Sequence, residues 1–433
     1  MKIILVAENA SIDFGGEAAL PCHYFRVLSK RQIDVSLVVH QRSKPFLDKA
    51  FGADNENIHY VPDTRLHRCI FKCYALLPNR LTSIVCGFAL SLLTQFYQKR
   101  IVRRMISGSS VKNKKYIAHS SSLVVHQVCP VSPKEPSILS GLGVPVVFGP
   151  LNGGMTYPAS FSAYESRLTY WSNKMGRLLS VIANTVFRGK READIIMVAN
   201  VRTQKALPEN LQGDVRLVVE NGVDLSLWSA KFVLNDKASV SVGVADIPSF
   251  VYVGRLVHLK AVDVLLDAFF SALKQYGPMH LHIVGDGDQR SYLESMIADH
   301  SLAVGLVTFH GWVSQKEILP ILLRSRALVL ASLHECGGAV VLEAMASSIA
   351  VVCTRWGGPE DYVDDSCGIL VDPISRDYLV AGFSDAMLRL AQDEDCAKAM
   401  GVSGRKKIEQ EYDWEKKVDQ VIDIYQEVIN NKN

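Results

Sequence analysis

The sequence predicts an α/β protein made of two doubly wound parallel-sheet domains. Three observations carry that prediction. Short β-rich runs alternate with longer helical patterns along the 433 residues, the mark of parallel βα units. The alternation comes in two series, separated by the turn signal Asn221-Gly222-Val223-Asp224 and a polar, strand-poor stretch running to Ile247. At roughly 150 residues per domain, the length leaves room for two or three domains.

In the first series the expected strands are Ile3–Ala7, Val35–Val39, Leu123–His126, Val144–Phe148, Ile195–Val198 and Arg216–Val219. The long helical patterns are Glu17–Lys30, Thr82–Ile106 and Ala163–Phe187. In the second, the strands are Phe250–Val253, Leu281–Val284, Val307–His310, Ala327–Leu330, Val351–Cys353 and Ile369–Val371. Helices are expected between them at Val262–Lys274, Gln289–Ala298, Gln315–Leu323 and Ala339–Ala346, then at Arg376–Leu390 and Glu394–Glu409. These divide the chain into an amino-terminal domain, 1–222, a second, 223–410, and a terminal amphipathic helix, 411–433, expected to cross back to the first domain.

Composition is ordinary for a globular protein, with 48% hydrophobic and 21% charged residues. The net charge of +3 hides an asymmetry: Thr64 to Lys134 holds twelve Lys or Arg and no Asp or Glu. The nine cysteines are scattered without a C-x-x-C pair, which reads as free thiols in a reducing cytoplasm. The amino terminus runs straight into a strand, too short for a signal peptide. Leu81 to Gln98 is uncharged but carries Thr, Ser, Gln and Tyr, and reads as a helix that is buried or lies on a surface. No repeat of 20–50 residues is present.

The most informative stretch is Ala331-Ser332-Leu333-His334-Glu335-Cys336-Gly337-Gly338 followed by the helix carrying Glu343. A strand ends, two glycines let a ligand approach the backbone, and a helix start offers free N–H groups to phosphate or sugar oxygens. Glu335 and Glu343 can face one ligand, and a carboxylate accepts from the vicinal hydroxyls of a ribose. The bland reading of Glu343 is a solvated helix residue, disfavoured by apolar neighbours on both sides. In the second stretch, Phe250 to Lys260, a strand runs into Gly254, and Arg255 and Lys260 follow in the loop. Two cations at a strand's carboxyl end suit a diphosphate and the charge it develops as a leaving group.

Together these stretches resemble the family 4 (group 1) glycosyltransferases, which have the GT-B fold and retain anomeric configuration. The resemblance runs over about 225–375 and also includes Val284-Gly285-Asp286-Gly287, His310-Gly311-Trp312-Val313, Gly357-Gly358 and Gly368-Ile369-Leu370-Val371. It implies that Arg255 and Lys260 hold the donor diphosphate. Glu335, with Cys336, Gly337 and Gly338, would meet the sugar, Glu343 the ribose, and Gly311, Trp312 and Val313 would border the base. Gly254 belongs to the same donor site. In the first half, Gly15-Gly16 resembles the family's glycine loop near the donor phosphates, and His126 its sugar-contacting histidine, with His119 as competitor. Asn152 and Gly153 could meet donor sugar or acceptor.

Two departures stand out: Ala261 where glycine is frequent, and Cys336-Gly337-Gly338 in place of an aromatic-glycine pair. Asp286-Gly287-Asp288 is read as a turn and helix cap and Asp393-Glu394-Asp395 as a helix start, so no metal and no other cofactor is expected. The implied partners are a nucleotide sugar and a glycan or lipid-linked acceptor, in cell-surface polysaccharide or lipopolysaccharide synthesis. The basic segment 64–134 could meet an anionic membrane, placing the chain in the cytoplasm or at the inner face of the plasma membrane. No motif supports nucleic acid. Competing functions are a non-catalytic nucleotide-sugar-binding partner, an epimerase or phosphorylase of the same shape, and a dinucleotide oxidoreductase, which lacks its Gly-x-Gly-x-x-Gly.

Overall fold

The computed structural model describes residues 1–13, 16–76, 80–111, 122–165, 167–228 and 247–432. The chain forms two compact units. The first contains Met1–Gly154, Ser166–Asn221 and Lys417–Asn433, and the second Met155–Glu165 and Gly222–Lys416.

The first unit holds a seven-stranded sheet of order β3-β2-β1-β4-β5-β6-β7. Its strands are β1 Lys2–Val6, β2 Asp34–His40, β3 Ile58–Val61, β4 Leu123–Gln127, β5 Val146–Leu151, β6 Ile195–Val198 and β7 Asp214–Leu217. All pairs are parallel. Strands covered on both faces must be apolar on both faces, and β1 obeys: Ile3, Ile4, Leu5 and Val6 are fully buried. Strand β3, Ile-His-Tyr-Val, was not foreseen, because its two central residues are only half-buried and carry no clean apolar pattern. Strand β7 begins and ends two residues earlier than expected.

The second unit holds a six-stranded, all-parallel sheet of order β10-β9-β8-β11-β12-β13. Its strands are β8 Ser249–Val253, β9 His280–Val284, β10 Val307–Gly311, β11 Ala327–Leu330, β12 Ala350–Thr354 and β13 Gly368–Val371. The helix Val262–Tyr276 buries nine apolar residues, among them Leu265, Leu266, Phe269 and Phe270, and packs along the helix Arg376–Gln392.

One segment departs from the expected division. Residues 155–165 pack with the second unit: Trp356 Nε1 donates to the Thr156 carbonyl at 2.9 Å, and the Tyr164 ring stacks on His258 at 4.7 Å. The helix expected from Ala163 therefore begins at Arg167, after a 3-10 turn at Ala159–Tyr164. Within the last helix, Trp414–Lys432, the chain passes from the second unit to the first at Lys417.

Candidate functional site

In an open parallel sheet, ligands lie beyond the carboxyl ends of the strands where the strand order reverses. In the second unit that point falls between β8 and β11, which pair at Ala327↔Phe250 and Leu328↔Val251. The two loops leaving these strands carry Arg255, Lys260 and Glu335. Leu333 N–H donates to the Leu259 carbonyl at 3.0 Å, and Lys260 Nζ forms an ion pair with Glu335 in which both side chains are 13% exposed. Arg255 is exposed, with no ion-pair partner among the described residues. Its carbonyl accepts from the Tyr252 hydroxyl at 3.0 Å, which fixes the loop behind it.

The path of the Lys260 loop explains the frequent glycine one residue on. A 3-10 turn, His258–Lys260, is closed by Ala261 at φ 48°, ψ 42°, the left-handed region that a Cβ disfavours. Gly338 starts the helix Ala339–Ala346 at φ 65° with no side-chain cap; Val341 N–H donates to the Gly338 carbonyl at 2.9 Å, which leaves the amides of Ala339 and Val340 to face a ligand. Other glycines serve close approach. A Cβ at Gly285 would run into the Gly254 carbonyl, one at Gly287 into that of Leu256, and one at Gly357 into that of Glu335. Gly358 N–H donates to the Glu335 carbonyl at 2.9 Å. The motif glycines thus lock each strand-end loop onto its neighbour.

Glu343 is half-buried, and desolvation pushes its carboxyl up to about 7, opposed by a hydrogen bond from Gln315 Nε2 at 2.8 Å. It is not a solvated helix residue. At the end of β10, Gly311 adopts φ 67°, Trp312 is 77% exposed and Val313 is half-buried. Cys336 and Gly337 are half-buried between Glu335 and the helix start. Asp286 is not a helix cap: that place is taken by Gln289, and Asp286 pairs with Arg290 at 3.1 Å. Asp393 does cap its helix, accepting from Cys396 N–H at 2.8 Å.

In the first unit the switch point lies between β1 and β4. Gly16 opens its helix at φ 52° with open space where a Cβ would lie, while Gly15 and His119 fall outside the described residues. His126 is fully buried. Its Nε2 donates to the Gly149 carbonyl and its Nδ1 accepts from the Tyr425 hydroxyl, both at 2.6 Å. Burial lowers its pKa to about 4. Neither ring nitrogen is free for a sugar, and a donor contact would require one of these bonds to be given up.

Asn152 is buried as well. Its amide donates to Glu220, and it accepts from Thr203 Oγ1 at 3.4 Å. A Cβ at Gly153 would meet the Pro133 ring at 2.6 Å. Asn152 and Gly153 are thus taken up by packing within their own unit.

Sequence reasoning missed Gln315, which orients Glu343 from 28 positions away. It also missed Tyr157 and Tyr164, whose rings lie against His334 and His258. No local pattern marks any of them; only the tertiary pairing does.

Residues 247–393 match the family model described as Glycosyl transferases group 1. The chain is 30% identical over 224 residues to alpha-maltose-1-phosphate synthase of Mycolicibacterium smegmatis, covering 49% of this chain and 56% of that one. It is 26% identical over 242 residues to a lipopolysaccharide core biosynthesis glycosyltransferase of Rhizobium meliloti, covering 56% and 61%. The matches to these curated relatives thus span about six-tenths of their length. HepE of Anabaena, solved in complex with UDP, superposes with a TM-score of 0.63 at 14% identity, covering 99% of this chain and 100% of that one. The segment 247–393 therefore belongs to the group 1 glycosyl transferases, and the two parallel-sheet units give the chain the GT-B fold.

Proposed function

We propose that this chain transfers a sugar residue from a nucleoside diphosphate sugar to a glycan or lipid-linked glycan, retaining configuration at the anomeric carbon. What carries the reading is the placement of Lys260 and Glu335 as an ion pair at the β8/β11 switch point, inside the segment that matches group 1 glycosyl transferases. Membership of the lipopolysaccharide core enzyme among the relatives supports a role in cell-surface polysaccharide synthesis.

In this reading Arg255 and Lys260 bind the donor diphosphate and stabilise the charge that collects on it as the sugar–oxygen bond breaks. The uncapped amides after Gly338 add partial positive charge on the same side. Glu335 holds the Lys260 ammonium in place and accepts from sugar hydroxyls. Glu343 accepts from the ribose diol, and Trp312 offers an exposed aromatic face to the base. The acceptor hydroxyl attacks on the face the diphosphate leaves, and its proton passes to a departing phosphate oxygen, so no protein base is needed. Two cations do the work a metal ion would do, and turnover is expected to persist in excess chelator.

The direct test is Lys260→Ala. Loss of a charge-stabilising donor should lower turnover by about 10²–10³-fold, measured as donor consumption with acceptor present. Near-normal turnover would sink the leaving-group role. Thermal stabilisation across a panel of nucleotide sugars would name the donor.

A further inference from the structure

From Met175 to Val186 the helix Arg167–Val186 of the first unit is turned inside out. Its buried side is polar: Ser180 is 6% exposed and Asn184 3%. The Ser180 hydroxyl donates to the Lys134 carbonyl at 2.5 Å, and the Asn184 amide to the same oxygen at 3.1 Å. Its outer side is apolar. Met175, Leu178, Leu179, Ile182 and Val186 recur at helical spacing on one face with Val181 beside them, and Leu178, Val181 and Val186 are 60%, 65% and 66% exposed. A helix folding in water alone places these residues the other way round. An exposed apolar patch of this kind marks an interaction surface.

The neighbouring helix shows the same inversion over residues 85–98 only, since Val102 beyond them joins the core. Arg80–Val111 packs against Arg167–Val186 and buries Ser91, Thr94, Gln95 and Gln98 while exposing Val85 and Phe96. Gln98 donates to the Ala7 carbonyl at 2.7 Å and Gln95 to that of Pro136 at 3.1 Å, so the polar stripe is held from within.

Charge decides the occupant. From Ser166 to Arg191 the sequence has six Lys or Arg and no Asp or Glu; Arg177 is exposed, Arg188 is exposed and pairs with Glu192 at 4.0 Å, and Lys190 is buried. On the neighbouring helix Lys99, Arg100, Arg103 and Arg104 line a hollow beside Phe96. A second copy of this chain would set these cations against one another. An anionic bilayer pairs with the cations and takes the apolar side chains below its headgroups.

We propose that the outer face of Arg167–Val186, with the basic end of Arg80–Val111, seats the first unit on the surface of an anionic membrane. The apolar part of the contact thus lies mainly outside the basic segment 64–134 that drew attention in the sequence. Among the described residues no helix is long and apolar enough to cross a membrane, so the contact is one of lying on the surface. It does not depend on the transfer reaction.

The test is flotation of the whole protein with vesicles of phosphatidylcholine alone and of phosphatidylcholine with phosphatidylglycerol. The protein should float with the anionic vesicles and not the neutral ones. The double variant Leu178→Glu/Ile182→Glu should bind them at least about tenfold more weakly, since two apolar side chains lose their burial. Its thermal unfolding should be unchanged, because both side chains already face water, and so should its stabilisation by a nucleotide sugar. The charge variant Arg100→Glu/Arg103→Glu should lose binding too. Failure of the native protein to float, or flotation of the apolar variant like the native protein, overturns the proposal. A native dimer that the apolar variant makes monomeric, without vesicle binding, gives the face to a second copy and also overturns it. Loss of donor stabilisation in the native protein would instead count against the transferase reading alone.

Discussion

The two switch points of this molecule treat their polar residues in opposite ways. In the second unit, Arg255 and Trp312 stand exposed, and Lys260 and Glu335, each 13% exposed, are held to each other. In the first, His126 and Asn152 occupy comparable strand ends but spend their hydrogen bonds inside. A polar residue at a strand's carboxyl end is therefore an ambiguous sign. It can be a ligand's contact or a bolt in the fold, and burial with satisfied partners separates the two.

The largest effect that could break this comparison comes from His126→Ala. It strips partners from the buried Tyr425 hydroxyl and the Gly149 carbonyl and leaves a cavity, which should cost about 3 kcal/mol of first-unit stability. Donor KM should not move. A raised donor KM at unchanged thermal stability would return His126 to the donor site. The histidine also makes the fold acid-sensitive. Its folded pKa is about 4 against an ordinary 6.5, so the unfolded chain takes up the proton first. Stability from this group is complete above about 6.5 and declines as pH falls towards 4. Denaturant unfolding followed against pH should show that slope, and His126→Ala should flatten it.

Next comes Glu343. Its carboxyl, at about 7 instead of 4.5, is ionised on the alkaline side, where it accepts from a diol. Donor KM should therefore rise as pH falls through 7, by about tenfold over roughly one to two pH units. Glu343→Gln should remove the dependence. The same shift weakens folding as pH rises from 4.5 towards 7, because the folded state holds the proton more tightly. The glutamine variant should thus be the more heat-resistant protein at alkaline pH. A pH-independent donor KM in the native enzyme would take the ribose role from Glu343.

The smallest effect sharpens the comparison from the backbone side. Ala261→Gly relieves a left-handed alanine and should stabilise the second unit by about 0.5–1 kcal/mol, the strain removed less the entropy glycine brings. A rise in Tm with unaltered turnover is expected. A fall in turnover would mean that the alanine also braces Lys260.

Much of this was legible in the amino acids, for identifiable reasons. Strands β8 and β9 of the second unit run straight into a glycine, and the apolar runs Ile195–Val198 of the first unit and Ala327–Leu330 of the second match the expected strands to the residue. The loops after β8 and β11 stand out in the sequence because Arg255, Lys260 and Glu335 lie close to glycines just beyond a strand. What escaped the sequence depends on pairing across distance. Strand β3 hides behind His59 and Tyr60, Gln315 gains meaning only beside Glu343, and residues 155–165 carry no signal for the unit they join. The helix Arg167–Val186 has a clear amphipathic period, yet a period does not say which face is inward. Only Ser180 and Asn184 bonding to Lys134 fixes that.

The route of the last helix has a consequence for synthesis. The first unit to leave the ribosome is incomplete until the chain has been made through Tyr425, whose hydroxyl closes the hydrogen bond to His126 on β4. All of the second unit is translated in between. The amino-terminal sheet must wait, with a buried imidazole nitrogen unpaired, for residues made some 300 positions later. A message cut short before Lys417 would yield a whole second unit joined to a first unit that lacks its final helix.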